Sequence, residues 1–160
     1  MNCIVYESSP TFFGSAETPP IVGCYLDQPL ILVVEDDPTL RDLLKDILTE
    51  EAPYQVMVAS CGQIALQQLV RMMVRGQVPA LLLIDYQLGR GMTGIDVYDQ
   101  LQTQPGLARI PTILMSANPP RDLLQARGLQ CLAKPFEVGD LLQVVEEMLG
   151  CSEALREEMV

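Results

Sequence analysis

The chain has 160 residues, a net charge of −11 and no histidine. With 49% hydrophobic and 19% charged residues, it has the composition of a folded domain and not of a disordered acidic tail. The negative charge repels phosphate, which argues against nucleic acid and anionic membranes as partners. The lack of histidine excludes a Ser-His-Asp triad, an imidazole zinc ligand and a phosphohistidine within this chain.

The cysteines and the N-terminal segment favour a cytoplasmic location. The five cysteines are odd in number and none are paired as CxxC, so neither a disulfide framework nor a zinc site is predicted. Residues 1–29 are rich in Ser, Pro, Thr and Gly and lack the basic and apolar regions of a secretory signal, which predicts a flexible N-terminal extension. No apolar run is long enough to span a membrane.

From Leu30 onward the sequence predicts five strands alternating with five helices. Leu30–Val34 is a short apolar run typical of a strand buried on both faces, and Asp37 followed by Pro38 is a helix-start signal. Such alternation predicts an α/β domain with a parallel sheet and helices on both of its faces. The predicted strands are 30–34, 55–59, 80–84, 111–115 and 130–133. The first predicted helix begins at Pro38, and the other four cover 64–73, 95–102, 121–127 and 138–149.

The spacing of apolar residues also predicts which helix faces are buried. Leu43 and Val70 belong to the predicted inward faces of the first and second helices. Val144 lies beside the inward face of the last helix, where it would add apolar area for a partner or a homodimer. Gly150 is predicted to stop this helix, so that the domain covers 30–150 and an acidic C-terminal tail covers 151–160.

Charged and hydroxyl side chains follow four of the five predicted strands. Because ligands bind at the carboxyl ends of the strands of such a sheet, these residues predict the site. In the strand order 2-1-3-4-5, the acids after the first and third strands share one cleft, and their mutual repulsion favours a bound Mg²⁺. With a hydroxyl and an ammonium nearby, the set is suited to accepting a phosphoryl group. The residues that follow the strands are Glu35, Asp36 and Asp37, then Asp85, Ser116 and Lys134. Of the acids, Glu35, Asp36 and Asp85 share the cleft, and Asp37 is interpreted as the helix cap only.

The segments ILVVEDDP, LLLIDYQLGRGMTGIDV, TILMSA and LAKPF resemble the receiver domain of two-component response regulators. The resemblance covers about residues 30–149, and the motifs occur in the family's order. It implies a flavodoxin-like, doubly wound (βα)5 fold with a five-stranded parallel sheet in the order 2-1-3-4-5. It also implies Mg²⁺-dependent transfer of a phosphoryl group from a sensor histidine kinase or a histidine phosphotransfer protein.

The resemblance further implies a role for each site residue. The Lys134–Pro135 peptide bond would be cis, as is usual in the family. Asp85 would be the phosphoacceptor, and Ser116 and Lys134 would bind the phosphoryl oxygens. Asp36 would be a direct ligand of Mg²⁺ or Mn²⁺, and Glu35 would bind the metal through metal-bound water. The backbone carbonyl of Gln87 would be the last protein contact to the metal.

Three features depart from the family's pattern. Cys131 stands where the family usually has a Tyr or Phe that moves with the Ser/Thr hydroxyl, and a cysteine is too small to act as that lever. We therefore hypothesise that the signal passes through the short fourth helix and its two preceding prolines. The loop after Asp85 is one residue longer than usual, and Leu88-Gly89 and Thr93-Gly94 replace the common Met-Pro and Asp-Gly pairs.

The glycines of this loop also spell a dinucleotide-binding pattern, GxGxxG, at Gly89, Gly91 and Gly94. We interpret them instead as a loop and a helix start. The first glycine lies too far beyond the strand, no acid ends the next strand, and the neighbouring carboxylates would repel a pyrophosphate.

Three functions compete on these residues. The first is a stand-alone receiver that signals by protein contact through the face of helix 4, strand 5 and helix 5, without conventional enzymatic turnover. The second is a pseudo-receiver, a binding module that is not phosphorylated. The third is an enzyme, but an aspartyl phosphatase would need an aspartate where Glu35 stands, and a flavin site would need a phosphate loop where three acids stand.

Overall fold

The computed structural model describes residues 28–89 and 91–157. They form five strands and five helices that alternate along the chain, as the apolar runs predict. The elements are β1 (Leu30–Val34), α1 (Pro38–Glu50), β2 (Gln55–Ala59), α2 (Gly62–Val74), β3 (Leu81–Asp85), α3 (Gly94–Gln102), β4 (Thr112–Ser116), α4 (Arg121–Arg127), β5 (Gln130–Ala133) and α5 (Val138–Glu157).

The five strands form one parallel sheet in the order β2-β1-β3-β4-β5, so the predicted flavodoxin-like, doubly wound fold is confirmed. Alternate residues of each central strand pack on opposite faces of the sheet. Leu32 and Val34 pack with α2, α3 and α4, whereas Ile31 and Val33 pack with α1 and α5. Because both faces are covered, the central strands read as continuous apolar runs.

Local sequence signals fix the helix starts nearest the site. The Asp37 side chain accepts hydrogen bonds from the amides of Thr39 and Leu40, which caps α1 as predicted. Thr93 and Asp96 form a reciprocal capping box at the start of α3. These caps hold two helix N-termini beside the carboxyl ends of β1 and β3.

Two strands are shifted by one residue from the prediction, since Leu81–Asp85 replaces 80–84 and Thr112–Ser116 replaces 111–115. β3 runs to Asp85 and β4 to Ser116, where the sequence predicted ends at 84 and 115. The apolar runs stop there, but the ladder continues, since Asp85 is in register with Met115 and Ser116 with Ala133. Asp85 and Ser116 are therefore held by strand geometry and not by a loop.

The predicted placement of three helix side chains was wrong. Leu43 is 53% exposed and Val70 is 41% exposed, although both were expected to face the core. On α2 the buried stripe includes Ala65 and Leu69 and continues to Met72, so Val70 points away from it. Val144 is buried within the α5 stripe and adds no area for a partner or a homodimer.

The prediction that Gly150 stops the last helix was also wrong, because α5 continues to Glu157. A glycine inside a helix costs only about 1 kcal/mol relative to alanine and still donates its amide hydrogen. The following Glu153, Ala154, Leu155 and Arg156 are all strong helix formers.

The predicted extension of residues 1–29 falls almost entirely outside the described residues, as does the end of the predicted tail. Across residues 28–89 and 91–157, no helix has the length and apolarity needed to cross a membrane.

Candidate functional site

Three acidic residues meet at the carboxyl ends of β1 and β3. Glu35, Asp36 and Asp85 each offer a carboxylate oxygen, and these oxygens all lie within 4.8 Å of one another. Glu35 and Asp85 are buried, whereas Asp36 is exposed. The prediction that these three acids share one cleft agrees with this geometry.

The buried Glu35 is held in place by hydrogen bonds to its carboxylate and its backbone carbonyl. Its carboxylate accepts hydrogen bonds from the Asp37 amide and from Lys134 Nζ, each at 3.1 Å. The Arg41 guanidinium donates to its backbone carbonyl at 3.1 Å. Burial, reinforced by the nearby Asp85 charge, raises the pKa of Glu35 from 4.5 to about 7 against the opposing effect of the Asp37 amide and Lys134.

Lys134 places one cation between two of the acids. Its Nζ lies 3.1 Å from Glu35 Oε2 and 3.3 Å from Asp85 Oδ1. Its backbone amide donates to the Ser116 carbonyl at 2.9 Å, which ties the end of β5 to the end of β4. The Lys134–Pro135 peptide bond is cis, as the resemblance implied.

Ser116 and Gln87 flank the acidic cluster. Ser116 is buried at the end of β4, and its Oγ accepts a hydrogen bond from the Asn118 amide at 3.2 Å. The Gln87 amide points to Asp85 Oδ1 at 3.4 Å, and Gln87 forms an isolated bridge with Thr93. The phosphoryl-binding role of Ser116 and the metal-binding role of the Gln87 carbonyl stay predictions.

Gly94 is a site residue whose importance the sequence did not reveal. A Cβ at this position would lie 2.5 Å from the Asp85 carbonyl oxygen and 2.8 Å from Leu114 Cδ1. The first turn of α3 therefore packs directly on the backbone of Asp85. The interpretation of this glycine as a helix start agrees with the structure, while Gly89 and Gly91 occupy left-handed loop conformations.

We expect Gly94→Ala to destabilise the fold by about 1–3 kcal/mol, because the new methyl group meets backbone that cannot move without displacing Asp85. Gly139→Ala is the matched control, since a Cβ there would meet nothing within 4 Å, and we expect it to be neutral or stabilising by up to about 1 kcal/mol. Urea unfolding of both variants measures the difference. Equal effects would show that the contact at Gly94 is unimportant.

Cys131 lies on β5 opposite Leu114, half-buried against the apolar cluster that includes Leu124 of α4. Burial raises the pKa of its thiol. The departure from the family's aromatic residue therefore lies against the apolar cluster to which Leu124 of α4 also belongs.

The donor set fits a hard divalent cation. Three carboxylates from two strand ends supply the oxygen ligands that Mg²⁺ prefers, and the exposed Asp36 leaves the cluster open to solvent. Lys134 compensates the negative charge of Glu35 and Asp85 on one side of the cluster. The direct metal-binding role of Asp36 and the water-mediated role of Glu35 stay predictions.

Because Glu35 is protonated below about pH 7, we expect the Mg²⁺ affinity to fall as the pH decreases. Between about pH 8 and pH 6 the affinity should drop roughly tenfold, since one proton must leave when the metal binds. Magnesium titrations followed by NMR measure this. Glu35→Gln should bind more weakly and lose the dependence, and an unchanged wild-type affinity across this range would contradict the prediction.

Known proteins share both this sequence pattern and this fold. The response regulator receiver domain family matches residues 31–146. A probable chemotaxis protein CheY of Rhizobium etli is 30% identical over 75% of this chain and 92% of its own length. The sensor histidine kinase TmoS of Ectopseudomonas mendocina is 31% identical over 94% of this chain, which spans only 15% of that kinase.

A solved structure adds an example with metal. The receiver domain of the sensor histidine kinase PA1611 from Pseudomonas aeruginosa, described with a magnesium ion coordinated in its active site cleft, is 25% identical. It aligns with a TM-score of 0.67 over 77% of this chain and 98% of its own. From the family match and the arrangement of strands and acids together, this chain belongs to the response regulator receiver domain family.

Proposed function

We propose that this chain accepts a phosphoryl group on Asp85 in a Mg²⁺-dependent reaction and passes the signal on by protein contact. Receiver domains are signalling domains that work with histidine kinases and bind Mg²⁺ in their acidic pocket. The observation that carries the proposal is the 3.3 Å contact between Lys134 Nζ and Asp85 Oδ1 beside two further carboxylates.

In the proposed reaction, a carboxylate oxygen of Asp85 attacks the phosphorus of a phosphohistidine on the donor. The new O–P bond forms as the P–N bond breaks, and the donor imidazole leaves with the bonding electron pair. Asp85 needs no general base, because its carboxylate is already the nucleophile. A bound Mg²⁺ would supply positive charge beside the transferring group.

The other residues neutralise and orient charge. Lys134 releases part of its contact with Asp85 and binds a phosphoryl oxygen, which offsets the negative charge brought into the site. The Ser116 hydroxyl donates to a second phosphoryl oxygen, while its oxygen can still accept from the Asn118 amide. Asp36 and Asp85 would hold the cation directly and Glu35 through metal-bound water. Because burial raises the pKa of Glu35 to about 7, this role would require the ionised form of Glu35.

Two surfaces support protein partners. An apolar groove of about 440 Å³ runs from Lys134 along α1, lined by Leu40, Leu43, Ile47 and Phe136 among others. This position beside the site suits a histidine kinase or phosphotransfer protein that must bring its imidazole to Asp85. On α4, the exposed Leu123 supports contact with a downstream partner or a homodimer.

We further propose that this chain works in the cytoplasm, since the free thiols of Cys61 and Cys131 fit a reducing compartment. We also propose self-catalysed gain and loss of the phosphoryl group, without turnover of a separate substrate.

Intact mass after incubation with acetyl phosphate tests this function. We expect a gain of one phosphoryl group with Mg²⁺ and none with a chelator. If no adduct forms, beryllofluoride titration in the presence of Mg²⁺ separates a short-lived adduct from an inactive site. Absence of both responses would favour the unphosphorylated pseudo-receiver.

A further inference from the structure

The helix α4 is weakly anchored for an element that directly follows a site residue. It has seven residues, begins after Pro119 and Pro120 without a side-chain cap, and ends at Gly128 in a left-handed conformation. Among its seven residues, Leu124 alone is buried. Elements with so little buried apolar surface are the ones that move most readily.

One ion pair adds a second anchor. The Arg127 guanidinium binds the Asp99 carboxylate of α3 with two hydrogen bonds, Nε to Oδ1 at 2.6 Å and Nη2 to Oδ2 at 2.7 Å. Its remaining nitrogen, Nη1, donates to the Leu123 carbonyl of its own helix at 3.0 Å. Such bidentate pairs are geometrically specific, so this contact fixes the position of α4 against α3.

The same helix is connected to the phosphoryl-binding hydroxyl by only four residues, 117–120. In the structure the Ser116 Oγ accepts the Asn118 amide within that connection. The hydroxyl can donate its proton to a phosphoryl oxygen while it accepts from this amide. Movement of the hydroxyl toward the phosphoryl group therefore displaces the connection through the Asn118 amide. The prolines at 119 and 120 stiffen the connection, so that its movement is passed to α4.

We infer that Asp99 and Arg127 form a latch that holds α4 in the arrangement of the unphosphorylated chain and opposes the phosphorylated one. The inference rests on the proposed function. In a two-state equilibrium, weakening an interaction made only in the resting state shifts the population toward the other state. Ligands that prefer the other state then bind more tightly.

The small side chain of Cys131 is consistent with a role for the Asp99–Arg127 ion pair in positioning α4. Cys131 packs against the cluster that contains Leu124, and a small side chain there leaves the position of α4 to its other contacts. The ion pair then supplies a preference between the two arrangements that an aromatic lever would otherwise contribute.

Beryllofluoride affinity tests the latch, because this phosphoryl mimic requires no donor. Fluorine NMR titrations with Mg²⁺ present would compare wild type with Asp99→Asn, Arg127→Gln and the double variant. We expect each single variant to bind about two- to fivefold more tightly, which is the range an exposed bidentate pair supports. The double variant should gain no more than either single one, since all three remove the same contact.

The matched control is Arg121→Gln, which removes an exposed arginine from the other end of α4 and should leave the affinity unchanged. A purely structural ion pair would instead lower thermal stability and leave the affinity unchanged or weaker. That result, with wild type binding beryllofluoride normally, would overturn the latch alone. Failure of wild type to bind beryllofluoride would overturn the proposed function and the latch with it.

Discussion

Asp85→Asn is expected to abolish phosphorylation while leaving the fold intact. The amide keeps the size of the carboxylate and its contact with the Gln87 amide, but it is not a nucleophile. The rate of phosphoryl gain from acetyl phosphate should fall by roughly three orders of magnitude or more. Intact mass with Mg²⁺ present is the measurement.

Asp122→Asn is the matched control, because Asp122 is an exposed acid of α4 outside the site. It should gain the phosphoryl group at the wild-type rate. Asp85→Asn also removes one of the clustered negative charges, so its stability should equal or exceed that of wild type. An undiminished adduct on Asp85→Asn would place the acceptor elsewhere.

Lys134→Met is expected to slow phosphorylation by about 10²–10³-fold, because the charge that offsets the phosphoryl oxygens is lost. The chain's only other lysine provides the control, and Lys45→Met on the exposed side of α1 should change nothing. Rates from acetyl phosphate compare the two variants. Equal rates would remove Lys134 from the mechanism.

The same substitution has a second consequence, for stability. Glu35 and Asp85 would lose the cation that lies between them, and the metal-free fold should weaken by up to about 3 kcal/mol, less than for a fully buried pair because Lys134 is 22% exposed. Bound Mg²⁺ should restore much of this loss, since it neutralises the same carboxylates. Urea unfolding with and without Mg²⁺ measures both effects.

The sheet could be predicted from sequence because its central strands are buried on both faces. A run such as Leu30–Val34 between polar turns is unambiguous, and parallel strands must bring their carboxyl ends to one edge. That geometry is why Asp36, Asp85 and Lys134, far apart in sequence, could be assigned to one cleft.

The helix faces were harder to predict, because an apolar residue at the edge of the apolar stripe can face either the core or the solvent. Leu43 is such a residue, and it lines the groove beside Phe136 instead of the core. Val144 was misplaced in the opposite sense, since the width of the buried stripe depends on how closely α5 approaches the sheet. How closely a helix approaches the sheet cannot be read from the local sequence pattern.

Contacts between distant residues were beyond sequence reasoning. The lack of space for a Cβ at Gly94 depends on where α3 docks against the Asp85 carbonyl, and a glycine at a helix start has several ordinary explanations. The Asp99–Arg127 pair joins residues on two different helices that no periodicity relates. The burial that raises the pKa of Glu35 likewise follows from the packed sheet and not from the acidic triplet itself.

The most direct test of the central claim is to locate the phosphoryl group. Borohydride reduces an acyl phosphate to the alcohol, so treatment after reaction with acetyl phosphate marks the modified aspartate for peptide mass analysis. We predict that the reduced residue is Asp85 and that the mark appears only when Mg²⁺ is present. Reduction at another acid, or a mark at Asp85 that does not depend on Mg²⁺, would contradict the proposed mechanism.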